Sequence, residues 1–429
     1  MVNRLLRILA EFVQGKTQIL EGENRKSPEI VHYYNEIVRY WSKLNFIINK
    51  TLRSLKLNKQ LKAEVVLFTT YRLIFEEAPL QDILMEIGHS KEISFFLNQL
   101  EGFSFDIALK EKSDQEILSI MEAMPTFFIE RLLPVMSPRF LEETIKAMND
   151  YSSHKTIFLR IDNYSSENSL ETLINSIKND FDKKKITFQQ DKDIPFIFHS
   201  QLGDKGEIIR SKWYQNKFLI FQDKASALIA QLLKPDKGDF ICDLCAAPGM
   251  KSSLILPLNN NRLRLICNDF SNSRLEFTKH YFDVQNRTDV FLLNSDGTKF
   301  PARSEVKFDK ILIDAPCSGS GTFLSNPELK WRQNVSFLNQ NVIIQEKLIE
   351  SGLNLLKSGG ILVYSTCSLY PEEGELQINK IYDQIQPLDL PKYFSPSYKI
   401  NKKSLRGMGR LFPSIHNTHG FFVSKLKKK

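Results

Sequence analysis

A chain of 429 residues exceeds what one small core organises, so two or three domains are expected. Its composition, 42% hydrophobic and 25% charged, is that of a soluble globular protein, and no apolar run nears the roughly 18 residues of a membrane span. The net charge of +8 belongs to one end: Leu390 to Lys429 holds ten Lys or Arg and no Asp or Glu, which leaves residues 1–389 at −2.

The N-terminus, Leu5-Leu6-Arg7-Ile8-Leu9-Ala10-Glu11-Phe12, is apolar but broken by charge. That is the pattern of an amphipathic helix rather than a signal peptide, and a cytoplasmic location is expected. Residues 1–120 hold only Pro28 and Pro79, and apolar residues recur at helical spacing (Leu44, Ile47, Ile48, Leu52, Leu55; Val65, Val66, Thr69, Tyr71, Leu73). This predicts an all-helical domain. Its sixteen basic and sixteen acidic side chains cancel, so it is no obvious electrostatic clamp. Pro125, Pro134 and Pro138 punctuate a connector.

From Lys155 the texture changes. Thr156–Ile161 reads as a strand, Ser169–Phe181 as a helix, and Ile186-Thr187-Phe188 and Phe196-Ile197-Phe198 as further strands. Residues 121–217 are thus a connector and a small α+β module. From Phe218 strand, loop and helix alternate, which predicts βαβ units and a mostly parallel sheet over residues 218–429. The acid-free C-terminal segment, Lys399 to Arg410 above all, suits a phosphate-rich partner.

Asp239–Leu244 is a strand, followed by Cys245-Ala246-Ala247-Pro248-Gly249-Met250-Lys251 and a helix. Small residues and glycine at a strand-to-helix turn let a ligand approach the backbone. The next strand, Arg264–Asn268, ends in Asp269, the spacing at which an acid holds ribose hydroxyls. A third, Val290–Leu293, leads to Asp296, which can accept from an adenine amino group. The glycines match neither G-x-G-x-x-G nor G-x-x-x-x-G-K-[ST], which disfavours dinucleotides and nucleoside triphosphates. A nucleoside with a carboxylate tail, S-adenosylmethionine, fits better.

All five cysteines (242, 245, 267, 317, 367) lie in the second half, an odd, clustered set that argues for reduced thiols. Cys242 and Cys245 form a lone C-x-x-C; without a second pair no zinc is expected, and packing near a loop explains them. Cys317, in Asp314-Ala315-Pro316-Cys317-Ser318-Gly319, follows the apolar run Lys310–Ile313, and Cys367, in Tyr364-Ser365-Thr366-Cys367-Ser368, follows Gly360–Val363. Side chains just past the carboxyl ends of parallel strands line the ligand crevice, so both thiols are expected to face one pocket beside Asp314.

The cofactor loop, the Asp314–Gly321 segment and Ser365-Thr366-Cys367-Ser368 resemble the signature motifs of RNA (cytosine-5) methyltransferases of the Sun class. Gln222-Asp223-x-Ala225-Ser226, Asn326-Pro327-Glu328 with Trp331-Arg332, Pro371-Glu372-Glu373 and His419-Gly420-Phe421-Phe422 extend the likeness over about Phe218 to Leu426. Met250 stands where many members have a second glycine. The helical domain and α+β module resemble the NusB-like and RNA-side modules of the RsmB type.

The resemblance implies a Rossmann-like, S-adenosylmethionine-dependent methyltransferase domain acting on ribosomal or transfer RNA, with no membrane or metal and a monomer expected. It implies that Cys367 attacks carbon 6 of cytosine, that Cys317 serves release, that Asp314 hydrogen-bonds or protonates N3, and that Lys251 orients Asp314 or steadies the thiolate. Cofactor-binding positions are then Cys245, Ala246, Ala247, Pro248, Gly249, Met250, Lys251, Asp269, Arg274, Asp296 and Asp314. Two rivals stay open. In a DNA-methylase-like order Cys317 attacks and Cys367 has no role; in a non-catalytic RNA-binding or ribosome-assembly factor neither does.

Overall fold

The computed structural model describes residues 1–15, 20, 24, 27–55, 61–150, 156–162, 169–259, 263–284 and 289–429. The chain divides into two compact units, one of Met1–Asn149 with Phe323–Gln333, the other of Asp150–Thr322 with Asn334–Lys429. No described helix is long and apolar enough to cross a membrane.

The first unit is helical: α1 (Val2–Val13), α2 (Pro28–Arg39), α3 (Trp41–Leu55), α4 (Ala63–Phe75), α5 (Leu80–Ile87), α6 (Lys91–Glu101), α7 (Phe105–Leu109), α8 (Asp114–Met121), α9 (Thr126–Leu132) and α10 (Pro138–Asn149). Residues three and four apart share a helix face, and they build its core: Leu5, Ile8, Leu9 and Phe12 of α1 meet Tyr34 and Ile37 of α2, Leu44 and Ile47 of α3, and Phe68 of α4. The expected boundary near residue 120 differs from the one found, because α9 and α10 continue the unit to Asn149. Pro125 caps α9 and Pro138 opens α10, positions where the missing N–H has no intrahelical partner to lose. Those prolines start helices rather than interrupt them.

The segment Phe323–Gln333 is part of this unit's core. Arg39, almost wholly buried, donates to the carbonyls of Leu324 (2.8 Å) and Phe323 (3.3 Å). The Lys330 ammonium, fully buried, donates to Asn149 Oδ1 (2.5 Å) and to the carbonyls of Arg39 and Ala123 (3.2 Å each). Burial, with the nearby Arg39, pushes Lys330 well below the usual lysine range. Trp331 donates to the Val38 carbonyl at 2.7 Å and packs edge-on against Trp41.

The second unit begins with the α+β module: β1 (Thr156–Ile161), α11 (Leu170–Lys183), β2 (Gln189–Gln190), β3 (Ile197–Gln201), α12 (Lys205–Arg210), α13 (Lys212–Gln215) and β4 (Leu219–Phe221). Its antiparallel sheet runs β2-β3-β1-β4. The expected strand at Ile186-Thr187-Phe188 is irregular instead. The Thr187 N–H is taken by the Asp204 carboxylate at 3.0 Å, and Phe188 is held by stacking on Phe198.

The remaining elements are α14 (Lys224–Gln231), β5 (Phe240–Asp243), α15 (Met250–Ile255), β6 (Arg264–Asp269), α16 (Asn272–Val284), β7 (Val290–Asn294), β8 (Phe308–Asp314), α17 (Val335–Leu355), β9 (Leu356–Thr366), α18 (Glu375–Lys380), β10 (Ile385–Pro387), β11 (Ser395–Pro396), β12 (Met408–Leu411), α19 (Pro413–His416) and β13 (Phe421–Lys428). Strands β7-β6-β5-β8-β9 are parallel, and β13 closes antiparallel on β9. Alternate residues of the central strands enter different cores. Ile241, Leu312 and Val363 pack on one side, Cys242, Ile311, Ile313 and Tyr364 on the other. Both faces of a parallel sheet are covered, which is why these strands read as continuous apolar runs.

The basic C-terminal segment separates into two kinds of cation. Lys399, Lys402 and Lys403 are exposed, and Arg406 is exposed and paired with Asp389 at 2.8 Å. Arg410 is fully buried in β12 and bonded to Glu375 at 2.5 and 2.7 Å. It therefore leaves the set of cations expected to meet phosphate.

Candidate active site

Strands β5 to β9 end on one edge of the sheet, and their loops, with the helix starts that follow, carry the residues expected to act in catalysis and to bind the cofactor. The register pairs Asp314 with Ser365, so the loops holding Cys317 and Cys367 leave adjacent strands at the same level. Their sulfurs lie 3.1 Å apart, beyond the bonded distance of about 2.0 Å, and both cysteines are free and partly exposed. The contact with Cys367, then burial, pushes the Cys317 thiol well above the usual range. Either thiol can be the donor in this contact.

Asp314 closes the group. Its Oδ2 accepts from the Lys251 ammonium at 2.6 Å and its Oδ1 from the Ser365 hydroxyl at 2.7 Å. Burial works against the Lys251 charge, but Asp314 and the nearby Cys367 outweigh it and raise the lysine above its ordinary value. Lys251 meets Asp314, and Cys317 meets Cys367 on the neighbouring loop.

The cofactor loop is braced from below. Asp269, nearly buried at the end of β6, accepts from the Ala247 N–H at 3.0 Å and the Ser271 N–H at 2.9 Å, while Arg274 donates to the Ala247 carbonyl. Ala246 N–H donates to the Asn268 carbonyl at 2.7 Å. Gly249 has φ +96° and a Cβ there would lie 2.9 Å from Thr278, so this turn needs glycine. Under it Asp243 is buried, accepting from the Ser252 hydroxyl at 2.6 Å, and burial pushes its carboxyl up to about 7. Asp296 gives Oδ1 to the Thr298 N–H (2.9 Å) and hydroxyl (2.7 Å), which hold its carboxyl below the usual range. Burial pushes the Cys245 and Cys242 thiols up, as befits packed cysteines.

Several site residues carried no signal beyond their motif. Arg160 of β1, fully buried, donates to Gln222 Oε1 (2.6 Å), the Met250 carbonyl (2.7 Å), Asp162 (2.7 Å) and Ser253 (2.9 Å), so the α+β module grips the start of α15. Asp223 accepts from the Thr418 hydroxyl at 2.8 Å and ties α14 to the segment before β13. Gly321 N–H donates to the Cys367 carbonyl at 2.9 Å, and Gly420 N–H to the Gly321 carbonyl at 2.8 Å. A Cβ on Gly321 would lie 2.1 Å from the Gly420 carbonyl oxygen. Gly321→Ala is therefore expected to cost about 1–3 kcal/mol of stability, because backbone rather than a flexible side chain must move. Denaturant titration reads it, and a variant with the parent's midpoint would refute the constraint.

Residues 230–427 match the family described as 16S rRNA methyltransferase RsmB/F. A protein of Synechocystis sp. named probable ribosomal RNA small subunit methyltransferase B is 32% identical over 232 residues, 53% of this chain and 51% of that protein. The chain thus spans about half the length of that relative. Ribosomal RNA small subunit methyltransferase B of Escherichia coli is 24% identical over 405 residues, 92% of this chain and 88% of that one. Among solved structures, a methyltransferase homolog protein from Pyrococcus horikoshii is 27% identical with a TM-score of 0.63, covering 74% of this chain and 100% of that one.

Proposed function

We propose, from the match of residues 230–427 to the family described as 16S rRNA methyltransferase RsmB/F, that this protein transfers a methyl group from S-adenosylmethionine to carbon 5 of a cytosine in RNA, ribosomal RNA ahead of transfer RNA. The observation that carries the reading is the pair of thiols 3.1 Å apart beside Asp314.

Carbon 5 of cytosine is a poor nucleophile. Cys367 passes its thiol proton to Asp314 and adds to carbon 6 as the thiolate; carbon 5 becomes enamine-like, and the negative charge that develops at N3 is met by a hydrogen bond from, or the proton of, Asp314. The cofactor supplies an electrophilic methyl group. Cys317, as its thiolate, then takes the carbon-5 proton; the electron pair of that C–H bond restores the C5–C6 double bond, the carbon–sulfur bond breaks with its pair on Cys367, and N3 returns its proton to Asp314. Lys251 keeps Asp314 oriented from one side and Ser365 from the other.

The loop fits the nucleoside. Ala246, Ala247 and Gly249 leave its backbone bare, and Asp269 and Asp296 follow at the next two strand ends. Each Asp269 oxygen retains a lone pair for ribose, and Asp296 Oδ2 is open among the described residues.

The test is to sequence 5-methylcytosine in cellular RNA with and without the protein, and to repeat the transfer with purified components. One or a few cytosines should lose the mark; methyl groups found on nitrogen or ribose oxygen would overturn the reading. Neutralising Lys399, Lys402 and Lys403 together is expected to weaken RNA binding and reduce the slope of log K against log salt by up to about 3, as fewer counterions are released. An unchanged slope in a filter-binding titration would leave them a solvated surface.

A further inference from the structure

The cysteines are partly exposed, but the serine after each is buried: Ser318 and Ser368 have hydroxyl oxygens 3.2 Å apart, and Ser368 Oγ lies 3.0 Å from Ser320 Oγ. These hydroxyls converge on one carboxylate. Glu373 is 0% exposed. Its Oε1 accepts from the Ser318 N–H at 2.8 Å and from Gln345 Nε2 at 3.0 Å, and its Oε2 accepts from the Ser318 hydroxyl at 2.5 Å. Gln345, equally buried, also donates to the Pro316 carbonyl at 2.8 Å. The residues on both sides of Cys317 are therefore pinned, one by Glu373 and one by Gln345. The Glu373 carbonyl in turn accepts from the hydroxyls of Tyr364 (2.9 Å) and Thr366 (3.2 Å), in the strand that delivers Cys367.

No cation pairs with this carboxylate among the described residues, and burial pushes its carboxyl above the usual range. A buried carboxylate held only by hydrogen bonds is costly, and apolar side chains would fill the space more cheaply. Its placement accounts for that cost. We propose that Glu373 is a positioning residue that holds the Cys317 and Cys367 thiols at their 3.1 Å separation, acting through Ser318, Ser368 and Gln345. The inference deepens the reading of these thiols as resolver and attacker and rests on it.

The full-length protein supplies two tests. In the first, without RNA, diazenedicarboxamide oxidises the thiol pair: two S–H bonds break, one S–S bond forms, and both hydrogens reduce the reagent's N=N bond to a hydrazine. Glu373→Gln keeps the shape but sets an amide donor against the Ser318 hydroxyl, and it should slow formation of the Cys317–Cys367 bond, mapped in non-reduced digests, on the order of 10-fold to 100-fold. In the second, with RNA, the same variant should keep its KM for S-adenosylmethionine, lose turnover, and accumulate a denaturant-resistant protein–RNA adduct. Ser318→Ala, which retains the N–H bond to Glu373, should show a smaller version of both effects and decides the matter if Glu373→Gln does not fold. Parental oxidation rates in the variants would overturn the proposal. Slowed oxidation with no adduct on RNA would uphold the positioning role and overturn the roles given to the thiols.

Discussion

Cys317→Ala is expected to leave RNA covalently attached to the protein, whereas Cys367→Ala forms no attachment at all. Both variants lose turnover, but for opposite reasons. Without Cys367 nothing adds to carbon 6. Without Cys317 the addition and the transfer proceed and the carbon-5 proton stays in place, so the bond to Cys367 persists; the loss of a proton-transfer group costs about 10²–10⁴ in rate. The geometry distinguishes the two thiols already. Contact with Cys367 and burial push the Cys317 thiol up, and the next residue, Ser318, is bonded to the buried Glu373. Cys367 lies near the charged Lys251. Both side chains are at the edge of the crevice, so alanine there changes little packing and the variants should fold. A denaturing gel with labelled RNA reads the outcome. An adduct with Cys367→Ala and none with Cys317→Ala would reverse the roles and favour the order of DNA cytosine methylases.

The second large effect concerns stability. Arg410→Met is expected to cost about 3–5 kcal/mol, the penalty for removing one partner of a buried ion pair. Glu375 would keep only the Tyr398 N–H at 2.8 Å, and the carbonyls of Ser368 and Tyr370, just past Cys367, would lose their guanidinium donors. The double variant Arg410→Met, Glu375→Met should recover much of the loss, since no charge is then left buried. Urea titration of the three proteins measures this. A single variant within about 1 kcal/mol of the parent would show that the pair is dispensable.

Arg410 also marks where the sequence stops being legible. In the chain it is one of a run of cations with no acid among them, and nothing local separates it from Lys403. Its partner Glu375 is thirty-five residues away, and only the antiparallel return of β12 and β13 brings it inside. The parallel strands were readable because burial on both faces writes apolar runs directly into the sequence, and the loop motifs because glycine, proline and cysteine are rare at such turns. At the ends of those strands Lys251 meets Asp314 and Cys317 meets Cys367. Glu373, Gln345 and Arg160 were invisible as site residues, since their partners lie in other elements and their spacing has no period. The prolines at 125 and 138 misled for another reason: the same residue that ends a helix also opens one.

The way the chain returns to its helical unit decides how the protein can be dissected. Thr322 ends the run of the thiol loop, and the next eleven residues, Phe323–Gln333, are core of a unit otherwise built from the first 149. A fragment starting at Asp150 would look like an intact catalytic half on paper. It would present Phe323 and Trp331 to water, and it would leave the Lys330 ammonium without the carbonyls of Arg39 and Ala123 or the Asn149 amide. Those apolar side chains begin six residues beyond Cys317 in the chain. A cut at residue 150 therefore divides the core of the helical unit, and a fragment that is to keep that core intact must carry Phe323–Gln333 with Met1–Asn149.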